Sequence, residues 1–289
     1  MKKTLLFCGL LICGFAQYSD AQDQPEFIET IELKRTTKTL EFKDILTGIY
    51  AQQIVNTQQY DSDEDFKPYT KTVFYDAIAE EKQLVLMHPA IVYKNSAGEI
   101  RYFVLLEKIP FGYSGYPEAC RACSAKADFL IFKKQANGSF YLINYTLNAT
   151  DLPGGAGRLK LDLQQIRKNM QHMGQQLTGS YFIGHYSGAG GEAGSMWHNL
   201  FLPEQGKIQV VDIGVAGRDT GSYYADRPNE SSKTTSSLKV INNDSQYFPI
   251  EITYKTYSGT SKKPTFTKSS FTWDTKKNAY IEKEMNHTK

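Results

Sequence analysis

Between residues 40 and 54 the apolar positions 42, 45, 46, 49, 50 and 54 recur at the helical period, which predicts an amphipathic helix. From Glu81 onward the pattern changes to short apolar runs broken by turn residues. Leu84–Tyr93 and Ile100–Leu106 flank Asn95-Ser96-Ala97-Gly98, and Ala127–Lys133 and Phe140–Ile143 flank Asn137-Gly138. Leu200–Leu202 and Ile208–Ile213 flank Glu204-Gln205-Gly206, and Phe271–Trp273 and Tyr280-Ile281 flank Lys276-Lys277-Asn278. Each reads as a hairpin, with Asn137-Gly138 as a tight primed turn. Asp151-Leu152-Pro153-Gly154-Gly155 punctuates the chain, and Leu163, Ile166, Met170, Met173 and Leu177 then follow helical spacing. Asp162 and Gln165 stand as N-cap and reciprocal partner of that helix. After Gly179 the chain reads as strands and loops.

These elements predict an α+β fold. A helix plus antiparallel sheet module is expected over residues 22–155, a linking helix over 156–178, and an antiparallel β-module, expected to be a sandwich, over 179–289. The 35 Tyr and Phe side chains favour strands, where rings pack on a pleated, half-buried surface.

Residues 1–21 change the picture of where the protein works. Lys2-Lys3, the apolar run Leu5–Ala16 and the small residues Ser19 and Ala21 form a cleavable secretory signal, too short to span a bilayer. Ile12 stands before Cys13 where a lipoprotein signal wants a small residue, so a bacterial, periplasmic or secreted protein without a lipid anchor is expected. No later run is long enough for an integral membrane span. Removing the leader takes away two lysines and one aspartate, lowering the formal charge from +2 to +1. That balance argues against nucleic acid as a partner.

The mature chain holds one cysteine pair, Cys120-Arg121-Ala122-Cys123, for which a disulfide bond is the default in an oxidising compartment. Thiol-disulfide oxidoreductase chemistry at Cys120 and Cys123 is the alternative, although the pair does not open a helix after a strand. A zinc ribbon lacks its second cysteine pair, and haem attachment lacks the histidine, Ser124 standing in its place. The glycine-rich stretch from His185 to His198 offers His185, Glu192 and His198 as weak metal or hydrolase candidates. No helix follows these glycines, so they do not form a phosphate-binding loop, and no cofactor is expected.

Nucleophilic catalysis finds no template: Gly112-Tyr113-Ser114-Gly115-Tyr116 misses the nucleophile elbow, and Ser236-Ser237-Leu238-Lys239 precedes a strand. Aromatic residues in Gly/Ser/Pro loops are the stronger signal. Phe111, Tyr113 and Tyr116 flank the cysteine loop, and Tyr223-Tyr224 lie between Gly221-Ser222 and Ala225-Asp226. Such rings supply rigid contact area at low entropy cost. The sequence therefore predicts an exported, non-catalytic binding protein of inhibitor or immunity type. Its expected ligand is a protein partner in the envelope or outside the cell, or a glycan; an exported enzyme is the alternative.

Overall fold

The computed structural model describes residues 33–50, 54–58, 70–76, 81–112, 117, 124–187 and 193–283. The elements run β1 (Thr36–Thr37), α1 (Phe42–Gly48), β2 (Ile54–Gln58), β3 (Thr70–Asp76), β4 (Glu81–Met87), β5 (Ile91–Lys94), β6 (Ile100–Pro110), β7 (Lys126–Lys134) and β8 (Phe140–Ala149). A two-stranded ribbon, β9 (Gly154–Gly155) and β10 (Arg158–Leu159), leads to α2 (Leu163–Lys168). Then come β11 (Gln171–Gly174), β12 (Leu177–Ser187), β13 (Ala193–Leu202), β14 (Gln209–Asp219), β15 (Ser232–Val240), β16 (Ile250–Ser258), β17 (Thr265–Asp274) and β18 (Ala279–Lys283). The chain is mostly β, and every strand pair among the described residues is antiparallel. No helix among the described residues is long and apolar enough to cross a membrane.

Sheet I has the order β1-β8-β7-β6-β4-β3-β2, with β5 also on β6. Sheet II is a plain meander from β11 to β18, each strand beside its neighbour in sequence. Alternation along β12 and β13 sends side chains into two different cores. Phe182, Leu200 and Leu202 join Phe103, Leu105, Phe129, Ile131 and Ile166 in a core between the sheets. Trp197 and Phe201 point the other way and meet Ile250, Ile252, Phe271 and Tyr280 within sheet II. The meander must therefore roll over on itself, and only three residue pairs join β14 to β15 at the fold. Its other end is tied down where Phe248 N–H donates to Met173 C=O (2.8 Å) and Gln175 N–H to Ser245 C=O (3.0 Å).

Helix is shorter than the 3.6-residue spacing suggests. Over the described residues 40–50 the helix is only α1, which stops at Gly48 packed against Thr36 and Thr37, and residues 51–53 of the expected helix lie outside the described residues. Over 162–177 it is only α2, because Met173 is buried from strand β11 and not from a helix face. The cap of α2 is present: Asp162 Oδ1 accepts from Gln165 N–H at 2.9 Å. Gln165 departs from the reciprocal pattern, since its Nε2 donates to the Asp162 carboxylate and its Oε1 accepts from Ile183 N–H on β12. The hairpins form where the turn residues place them, but Asn137-Gly138 is not a primed turn. Gly138 alone has positive φ (85°), Gly138 N–H donates to Gln135 C=O, and the Asn95–Gly98 turn repeats the arrangement with Gly98 at 80°. A type I turn followed by a left-handed residue needs one glycine only.

Adjacent residues of β6 put a buried ion network through each face of sheet I. Asp128 accepts from Tyr50 Oη (2.7 Å), Lys108 Nζ (3.0 Å) and Asn148 N–H (2.7 Å) on one face. On the other, Glu107 accepts from Arg158 Nε (2.7 Å) and Leu159 N–H (2.8 Å) and pairs with His88 Nε2 (2.9 Å). Burial acts to raise the Glu107 carboxyl, but the His88 and Arg158 bonds, with the Arg158 charge and Leu159 N–H, leave it below its ordinary value of 4.5. A depressed carboxyl stabilises the fold above its unfolded pKa and loses that contribution as pH falls through the folded value. Unfolding free energy should therefore fall as pH drops below 4.5, and Glu107→Gln should flatten that dependence in urea titrations at successive pH values.

A third cluster fastens the two sheets together. Arg101 of β6 donates through Nε to Glu204 in the β13–β14 turn (2.5 Å) and through Nη2 to Glu99, while Asn95 Nδ2 reaches the same Glu204 at 2.9 Å. Burial, then the Glu204 charge, raises the nearby Tyr93 phenol.

Candidate functional site

The loop joining β14 to β15 carries Tyr223 and Tyr224 and is fixed by its own backbone. Thr220 N–H donates to Ser232 C=O (3.0 Å), Thr220 Oγ1 accepts from Ser232 N–H (2.8 Å), and Tyr224 N–H donates to Thr220 C=O (3.1 Å). Asp219 Oδ1 accepts from Gly221 N–H at 2.9 Å, and that bond, ahead of Lys233, holds the carboxyl below its usual range. The β16–β17 turn braces the loop from the side. Gly259, at φ 57°, donates its N–H to Ser231 C=O (2.7 Å), and a Cβ there would lie 2.8 Å from Asn229 C=O.

On this base the two rings meet edge to face, 4.8 Å between centroids, and the Arg227 guanidinium lies 5.4 Å from the Tyr224 ring. Arg227 is itself held by Glu230 at 3.0 Å. Tyr224 is half-buried, whereas Tyr223 is 51% exposed. An exposed ring backed by a second ring and a cation, on a loop already bonded in place, has little freedom left to lose on contact with a partner. Tyr186 stands at the same end of sheet II, 41% exposed, with its ring over Gly194 in the space a Cβ would need.

The other sequence candidates separate. Phe111 pairs with Pro117 through a single bridge and packs on the small core of Leu84, Leu86, Ile109 and Ala125, with Lys82 Nζ 4.8 Å from its ring. It is a half-buried anchor. Tyr113, Tyr116, Cys120, Cys123 and Glu192, like the leader, lie outside the described residues. His185 and His198 belong to the regular β12–β13 ladder, opposite Ser195 and Phe182 respectively, and so emerge from opposite faces. His198 lies inside β13, stacked on Phe182 (5.2 Å) with Nδ1 2.7 Å from Asp212 Oδ1. The His198 bond holds the Asp212 carboxyl below its usual range. Among the described residues no three His, Cys, Asp or Glu side chains gather as a metal set.

What the sequence missed are the buried ion networks, whose linking pairs include His88–Glu107, 19 residues apart, and Arg101–Glu204, 103 apart, and carry no local motif. The glycine-rich segment also misled: Gly194 is a strand residue under the Tyr186 ring rather than part of a loop. No family model matches the chain, and no curated protein or solved structure matches it either.

Proposed function

We propose that this is an exported, non-catalytic binding protein, with a two-sheet sandwich as the scaffold that presents the Tyr223-Tyr224 loop to a protein partner. The observation that carries the reading is the exposed Tyr223 ring, braced by Tyr224 and Arg227 on a hydrogen-bonded loop. Anchors of this type dominate protein interfaces, because a pre-positioned tyrosine buries a large surface at small entropic cost. The inhibitor or immunity-type role fits a binding end that performs no chemistry of its own. Export follows from the leader, and the periplasm or the medium is then where the partner is met.

The tagged mature protein, passed over envelope and culture-fluid extracts, should retain one stoichiometric protein. Against that purified partner, Tyr223→Ala should weaken binding about 30-fold while leaving the melting temperature unchanged, as expected for an exposed hot spot. Unchanged affinity in both Tyr223→Ala and Tyr224→Ala would overturn the reading.

A further inference from the structure

The near-neutral formal charge of the whole chain conceals a segregated one. Residues 232–283 carry nine lysines against four carboxylates, and no arginine. In β15–β18 the register turns that excess into a pattern. Lys233 lies opposite Tyr257; one row on, Thr235, Lys255 and Phe266 align. The next row is Ser237, Thr253 and Lys268, and the next Lys239, Glu251, Ser270 and Lys283. Lys233, Lys255, Lys268 and Lys283 thus sit one per strand, each a row beyond the last, on a diagonal across the sheet. Strand spacing and a two-residue step place successive lysines about 8 Å apart. This is the outward face, since Ile250, Ile252, Phe271 and Tyr280 on the other side are buried in the sheet II core.

We propose that this diagonal is a binding track for an acidic polysaccharide. A linear carboxylated glycan presents repeating negative charge along an extended chain, which a row of lysines on a flat face complements. Between the lysines the face offers hydroxyls, Thr235, Ser237, Thr253 and Ser270, as partners for sugar hydroxyls and carboxylates. At its loop end it offers two flat rings for pyranose C–H faces: Phe266, 66% exposed, and Tyr257, with Lys255 Nζ 5.2 Å from its centroid. Lysine without arginine disfavours phosphate and base recognition, which draw on the bidentate, stacking guanidinium. One exposed large apolar side chain on the face gives a bilayer little to hold. Lys233 begins the track 3.4 Å from Asp219 at the base of the Tyr223 loop, so Lys255, Lys268 and Lys283 carry the charge that is clear of that loop.

Sodium polygalacturonate oligomers titrated into the purified protein by calorimetry should bind, more weakly as salt rises, whereas neutral dextran should not. Lys255→Gln/Lys268→Gln should weaken binding about tenfold, the scale of two exposed ion pairs. Lys276→Gln/Lys277→Gln, which removes the same charge from the β17–β18 turn, should leave it unchanged, as should Tyr223→Ala. Equal losses in the two lysine doubles, no binding of polygalacturonate, or equally tight binding of polyglutamate, duplex DNA or phosphatidylglycerol vesicles would each overturn the proposal.

Discussion

Asp128→Ala should destabilise the fold by about 3–5 kcal/mol, the cost of removing one partner from a buried ion pair. Neither side chain has water to fall back on: Asp128 is fully buried and Lys108 is 2% exposed. The mutation takes the carboxylate from a buried ammonium 3.0 Å away, and it also strips the acceptor from Tyr50 Oη and Asn148 N–H. The last of these is a backbone group already displaced from the β7–β8 ladder. The register slips between Ala127 and Phe129, and Asn148 has φ 50°, so Asp128 fills the acceptor position that the bulge vacates. Adding Lys108→Met should recover part of the loss, because it removes a buried ammonium whose remaining acceptors, among them Asn148 Oδ1 at 2.8 Å, do not neutralise its charge as the carboxylate did. Urea unfolding of both single variants and the double variant checks this; an additive double variant would contradict it.

Gly174→Ala should cost about 3 kcal/mol, the upper part of the range for overpacking. The added Cβ would fall 1.8 Å from Gln246 C=O and 2.8 Å from its carbonyl carbon, and backbone cannot swing aside as a flexible side chain could. Relief requires the segment 245–248 to lift, which breaks the Phe248–Met173 and Gln175–Ser245 bonds and opens the buried edge beside Met173. Thermal unfolding should show the loss. Hydrogen exchange should place it, with the Gln175 and Phe248 amides losing protection well beyond the global change. Loss of protection spread evenly over sheet II would mean that the contact is accommodated in some other way.

Much of the strand framework was legible because turn chemistry is local. Gly98, Gly138 and Gly206 each take the left-handed φ their hairpins need, and the flanking runs alternate or stay apolar accordingly. Helix length was not legible over 162–177, because Met173 and Leu177 fit a helical stripe and a strand face equally well. What decides is the 245–248 segment bonding to β11, and no sequence window around Met173 contains it. The site was legible only in part. Tyr223 and Tyr224 stood out among small residues, but Arg227 and the bracing by Gly259 required the loop and the β16–β17 turn to be seen together. The lysine diagonal escaped for a similar reason: spacing along one strand shows one lysine in β16, β17 and β18 and two in β15, and the line exists only across the three registers that join them.

The different connectivity of the two sheets bears on how the chain finds its fold. Every pairing in sheet II is between consecutive strands, so each step closes a short loop and can form before the rest of the molecule is in place. Sheet I is completed only when Thr36 of β1 meets Tyr141 of β8, about a hundred residues further along, a closure with a much larger entropic cost. A newly made chain thus holds its first edge strand unpaired until β8 arrives. Such unpaired backbone is where transient association with other chains begins, so the interval before β1 docks is the period of greatest exposure to aggregation.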